Sequence, residues 1–177
     1  DKAQQEFSMA CKARTVSYSQ LYGGKITAAL SRQHPRDLFD CKYMEISSFG
    51  DVKDGFMLCL LGSDKPIIES LQPNSIDQTD ALENQFNGMS DVEFSYADYE
   101  EARTNLIAQV NAALTEADKD FILSFEEGIP DWDKCCAGDL SNYPSVKWKL
   151  QNINKLKEMN SQKHQQGIER LKQFFGR

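Results

Sequence analysis

Helix-start signals recur along the whole chain, and they restrict it to a fold built from many short helices. Ser19, Ser95 and Ser161 each precede a run with helical apolar spacing. Each reads as an N-cap whose side-chain oxygen takes an orphaned first-turn N–H. Pro35 and Pro144 open two more helices, because a first-turn position needs no N–H. Thr115 and Asp118 stand at capping-box spacing. The expected helices cover about 20–31, 36–47, 51–61, 66–71, 77–86, 96–114, 116–126, 144–159 and 162–175. Lys12–Tyr18 is short and β-branched and reads as a weak strand. The expected class is therefore mainly α: a multi-helix domain with room for one or two short N-terminal strands.

The 177 residues suit one domain that can bury a real core. A net charge of −7 argues against a generic nucleic-acid binder, whose phosphate affinity needs clustered Lys and Arg. The tail is the exception, with Lys147, Lys149, Lys155, Lys157, Lys163, Arg170, Lys172 and Arg177 against only Glu158 and Glu169. Such a tail suits either an RNA contact or a solvated helix face. The cysteines (Cys11, Cys41, Cys59, Cys135 and Cys136) are odd in number and match neither a disulfide framework nor zinc-ligand spacing. They read as free thiols of a reducing compartment, which makes the cytoplasm the expected location. No apolar run is long enough to span a membrane, and no signal peptide is visible. The chain begins at Asp1 rather than Met, so an upstream segment removed or never included is expected.

The segment Leu21–Asp40, LYGGKITAALSRQHPRDLFD, holds the densest chemistry. Gly23-Gly24 inside a helix costs about 1 kcal/mol per glycine relative to alanine, which points to close approach of another backbone or a ligand. Lys25 and Arg32 lie two turns apart on one helix face. Asp37 and Asp40 share a face of the next helix. One reading is a set of interhelix salt bridges, with Arg36 and Asp40 also at i,i+4 spacing. The other is a polyphosphate site, where the basic groups neutralise phosphate oxygens and a carboxylate orients the site or accepts a proton. His34, beside Pro35, reads as a turn residue. Trp132 and Trp148 read as anchors that pin a polar loop to a helix.

This segment resembles the C-terminal motifs of AbiEii/AbiGii-type nucleotidyltransferases, a family that includes toxins of toxin–antitoxin and abortive-infection systems. The features in common are Gly24-Lys25, Ala29-Leu30, Arg32 and Arg36-Asp37-x-x-Asp40. A second block agrees in the same order: LTEADKDFILSFEEGIPDWD from Leu114, then YPSVKWKL ending at Leu150. The resemblance implies the C-terminal part of a nucleotidyltransferase-fold protein. Residues 1–50 would be the end of the nucleotidyltransferase core and 51–177 a helical C-terminal domain.

The implied activity is Mg²⁺-dependent transfer of a nucleotide from NTP to an acceptor, such as tRNA or a protein, with a cognate antitoxin as a further partner. Lys25 would hold the nucleotide phosphates, with Arg32 and Arg36 in support. Asp37 would be the catalytic motif carboxylate, with Asp40 beside it. The family's upstream Gly-Gly-Thr/Ser motif and strand-borne Asp-x-Asp metal pair do not occur here. Asp131-Trp132-Asp133 has the spacing but falls in a loop. The implication is that Mg²⁺ is held mainly by residues outside this chain, and that the chain alone does not catalyse transfer. The competing reading is a stand-alone acidic helical module that docks a protein partner without catalysis.

Overall fold

A computed structural model describes residues 6, 8 and 13–177. Cys11 and Lys12, the first residue of the expected strand, lie outside the described residues. Residues 13–17 are coil, and Tyr18 already belongs to a helix, so no strand occurs among the described residues. Nine α-helices do: α1 Tyr18–Arg32, α2 Pro35–Lys42, α3 Lys53–Leu61, α4 Ile67–Leu71, α5 Thr79–Ala81, α6 Tyr96–Ala113, α7 Glu116–Glu126, α8 Pro144–Met159 and α9 Ser161–Phe174. A 3₁₀ turn, Phe49–Val52, leads into α3, and α5 runs on into a π-helical turn, Leu82–Phe86.

The caps explain most boundaries. Ser95 with Asp98, and Thr115 with Asp118, form reciprocal capping boxes that start α6 and α7 at the expected residues. Helix α1 starts earlier than expected because Ser17, not Ser19, is its cap. Ser17 Oγ accepts from the Gln20 N–H at 3.2 Å. Ser19 is used elsewhere: its hydroxyl bonds Asp54 and accepts from the Gly55 N–H. Helix α2 stops at Lys42, several residues short of expectation. Beyond it the Glu45 carbonyl accepts from the Tyr18 hydroxyl at 2.6 Å, which ties the following segment to α1.

The centre of the fold is the crossing of α1 and α3. A Cβ on Gly23 would fall 2.2 Å from the Phe56 nitrogen, and one on Gly55 would fall 2.1 Å from the Ser19 carbonyl oxygen. The two backbones thus touch directly, and the expected reason for a glycine in α1 holds for Gly23. Gly24 meets only Cys59 Sγ, at 3.7 Å. Around the crossing, Ile26, Ala29 and Leu30 of α1 pack with Phe56, Met57, Leu60 and Leu61 of α3, all buried. Leu21, on the same helix, is exposed. Tyr99, Leu106 and Val110 of α6 and Phe121, Ile122 and Phe125 of α7 extend the same core, which the α8–α9 hairpin closes with Val146, Ile153 and Leu171.

Two lysines, Lys53 half-buried and Lys149 buried, tie the outer helices to α3. Lys53 Nζ donates to Asp118 Oδ2 at 2.7 Å, with the Asp118 side chain only 2% exposed. Burial pushes the Asp118 carboxyl up, but the bonds from Lys53 and Thr115 outweigh it and leave the pKa below the usual value. Lys149, expected on the basic tail, is buried instead. Its ammonium donates to the carbonyls of Ser63 and Lys65, just past the end of α3, at 3.1 and 2.6 Å. Burial lowers its pKa. The four described cysteines are free. Trp132 packs on Phe121 and Phe125 with ring centroids 5.4 and 6.3 Å away, so it anchors the loop as expected. Trp148 does not, being 56% exposed.

Substitutions at the two adjacent glycines will have opposite effects. Gly23→Ala will cost about 3 kcal/mol or prevent folding, because backbone cannot give way as a side chain can. Gly24→Ala will stabilise by roughly 0.5–1 kcal/mol, the helix-propensity difference. Urea denaturation checks both.

Removing Lys53 strands the buried charge of Asp118. Lys53→Met will therefore cost about 3 kcal/mol at neutral pH. A depressed carboxyl stabilises the fold above its unfolded pKa, and this is lost as pH falls through the folded value. The gap between Lys53→Met and the parent will thus narrow as pH falls, and it closes only below the depressed folded value, where Asp118 is protonated in both proteins. Stability measured from pH 3 to 7 decides it.

Candidate active site

Helices α1 and α2 form a hairpin around Gln33 and His34. Gln33 takes the left-handed conformation at φ 52°, and its N–H closes α1 on the Ala29 carbonyl. A non-glycine residue there is strained, costing roughly 1–2 kcal/mol. The surroundings hold it in place. Its side chain donates to the Asn74 carbonyl at 2.7 Å, and its own carbonyl accepts from the fully buried Tyr99 hydroxyl at 2.9 Å. His34 is the turn residue expected from the sequence: it caps α2, with Nδ1 accepting from the Arg36 N–H at 3.2 Å.

The hairpin brings the five expected site residues to one edge. Lys25 Nζ donates to Asp40 Oδ2 at 2.5 Å, and Arg32 donates to Asp37 Oδ1 at 2.8 Å. Each ion pair links α1 to α2, so the interhelix salt bridges anticipated from the spacing are present. The i,i+4 pair of Arg36 with Asp40 does not form, because Lys25 holds that carboxylate. Arg36 is exposed and makes no side-chain hydrogen bond or ion pair among the described residues.

The local electrostatics are consistent with the helix ends. Arg32 sits in the last turn of α1 and Asp37 in the first turn of α2, where each charge favours the nearby partial charge of the helix terminus. The hydrogen bond to Asp40 holds the Lys25 ammonium pKa above its ordinary value. Beneath them, burial pushes the Cys41 thiol up to about 12, with Asp37 and Asp40 adding to the effect. That thiol is no nucleophile at neutral pH.

The Asp37 side chain is 16% exposed, whereas the Lys25 and Asp40 side chains are 38% and 40% exposed. Asp37 Oδ2 is covered and has no hydrogen-bond partner. Arg32, His34, Arg36 and Asp37 line an open depression of about 440 Å³.

These residues do not by themselves fit a Mg²⁺ ion. Asp37 and Asp40 each hold a cationic side chain, and no cluster of three or more His, Cys, Asp or Glu able to hold a metal occurs among the described residues. Asp131-Trp132-Asp133 stays in its loop, on a 3₁₀ turn, with Asp131 beside Lys134 at 3.5 Å. Asp118-Lys119-Asp120 has the same spacing on α7. Residues two apart on a helix point to different sides, and the two carboxylates are engaged by Lys53 and by Arg177.

Motif reading missed Tyr99 and Gln33, which set the angle of the hairpin. No local signal marks them; Tyr99 becomes a site-supporting residue only because α6 packs beside the turn.

Among the described residues the protein is mainly helical, with a charged hairpin edge formed by α1 and α2. Residues 2–152 match the family described as nucleotidyl transferase AbiEii toxin of type IV toxin–antitoxin systems, and the chain belongs to that family. Membership implies NTP as substrate and an antitoxin as partner. Comparison with curated proteins and with solved structures gave no match. No described helix is long and apolar enough to cross a membrane.

Tyr99→Phe removes the hydroxyl that satisfies the Gln33 carbonyl. It will cost about 1–2 kcal/mol, the range for leaving a buried acceptor unpaired. Chemical denaturation of the purified variant measures it.

Proposed function

We propose that the α1–α2 edge is the nucleotide-facing part of a Mg²⁺-dependent nucleotidyltransferase site. The observation that carries this reading is Asp37. Its carboxylate is largely covered, has one oxygen without a partner, and sits between Arg32 and Arg36 at the wall of an open depression. Arg32, Arg36 and Lys25 neutralise the triphosphate oxygens of the NTP. Asp40 positions Lys25.

In the reaction, an acceptor hydroxyl or amine attacks the α-phosphorus, and the bond to pyrophosphate breaks. The acceptor's proton passes to the Asp37 carboxylate. Mg²⁺ supplies charge neutralisation at the phosphates when bound. On this reading its ligands are an Asp-x-Asp pair outside these 177 residues, and the chain alone is inactive. The acceptor is an RNA such as tRNA, or a protein.

The second reading, a helical module that binds a protein partner such as the antitoxin, draws on the fact that Lys25 and Asp40 already satisfy each other. An exposed pair of this kind contributes under about 1 kcal/mol, so its removal tests function rather than folding.

In the full-length toxin, Lys25→Ala and Asp37→Asn will each abolish nucleotide incorporation from labelled NTP and relieve growth arrest, with little change in Tm. The double swap Lys25→Asp with Asp40→Lys restores an ion pair but puts the charges on the wrong helices. It will keep the parent Tm and remain inactive. Activity recovered by the swap would mean that the pair is only structural.

A further inference from the structure

The α8–α9 hairpin and the loop between α3 and α4 enclose a second cleft, of about 410 Å³. It is lined by none of the residues of the α1–α2 site. Glu126, at the end of α7, lines it, and Oε1 of that carboxylate is covered and has no hydrogen-bond partner. Burial pushes this carboxyl's pKa up, against the charge of Lys149, a hydrogen bond from the Ile67 N–H and the nearby His164. Lys149 is not its ion-pair partner, because that ammonium is turned to the Ser63 and Lys65 carbonyls. Nearly all buried acceptors in folded proteins are paired, so an orphan on a cleft wall marks a place for a donor.

Gly167 gives a second, independent sign. A glycine inside a helix is unfavourable relative to alanine. Gly23 has a reason, since the backbone of α3 lies against it. Gly167 has none: nothing lies within 4 Å of where its Cβ would be. Its missing side chain leaves the cleft open. On the same stripe of α9, one turn to either side, stand Lys163 and Arg170, both exposed and neither in an ion pair among the described residues. From α8 the cleft is lined by the indole of Trp148, 56% exposed, and by the apolar Ile153.

We propose that this cleft binds a single nucleotide, separately from the α1–α2 site. The base lies along Trp148 with its amino or imino edge toward Glu126, and the phosphate sits at the mouth between Lys163 and Arg170. The indole offers a stacking face, which suits a nucleobase. The orphan carboxylate accepts from the ring's donor edge. The two unpaired cations neutralise the phosphate. Asp64 and Glu69 on the α3–α4 side keep that anion on the α9 side of the mouth.

Calorimetric titration with AMP, GMP, CMP, UMP and inorganic phosphate tests the assignment. At least one nucleotide will bind with a Kd below about 1 mM, phosphate alone will not, and Lys25→Ala will leave that binding unchanged. Trp148→Ala will weaken it roughly tenfold or more, the worth of a lost base stack. Gly167→Leu fills the cleft with a good helix former, so it will weaken binding while keeping or raising Tm. The proposal is overturned if no nucleotide binds, if phosphate binds equally well, or if Gly167→Leu binds as the parent does. Loss of binding in Lys25→Ala would also overturn it, by placing the nucleotide at the α1–α2 edge. That outcome is distinct from failure of the transferase reading, which concerns incorporation alone.

Discussion

The rest of the structure depends on the direct backbone contact between α1 and α3. Gly23 and Gly55 have no Cβ, and a Cβ on either would overlap backbone atoms of the other helix. Ser19 adds a hydrogen bond to the Gly55 N–H at the same place. At that separation Ile26, Ala29 and Leu30 can mesh with Phe56, Leu60 and Leu61 without a gap. Helix α3 becomes the central element. Its first residue, Lys53, holds α7 through Asp118, and the carbonyls just past its end hold α8 through Lys149.

The α1–α2 edge inherits its rigidity from that frame. Its turn is a strained residue, Gln33, held in place by bonds from its side chain and from Tyr99. The basic residues of α1 and the carboxylates of α2 therefore face each other at fixed positions rather than on mobile loops. Arg32 and Asp37 also gain from the helix ends they occupy. Pre-positioned charge of this kind favours binding of a polyanion, because little reorganisation is needed when it arrives. The same pairs also add to the hairpin's own order.

Much of this was legible in the sequence where the signal is local. Capping boxes depend on side chains three residues apart, and so α6 and α7 begin at the expected residues. Gly23 announced a close backbone approach because a helical glycine needs a reason. Lys25 with Arg32, and Asp37 with Asp40, showed their common faces from helical spacing alone. Pairwise choices were not legible. Spacing allowed Asp40 to join Arg36, and the hairpin angle gave it to Lys25 instead. Ser19 looked like the cap of α1, yet the crossing claimed its hydroxyl and left the cap to Ser17. The short strand expected before α1 gave way to coil and helix, because no neighbouring strand is present among the described residues to pair with it.

By itself, then, the sequence determined a mainly helical chain, the start of most helices, the charged motif of one hairpin and membership of the AbiEii family. Each of these rests on interactions within a few residues, or on motifs read in order. Tertiary structure alone decided which charge meets which, that Lys149 is buried, that Tyr99 holds the turn, and that Glu126 and Gly167 meet at one cleft. Those depend on residues tens of positions apart, and only the angle at which packed helices cross sets such distances.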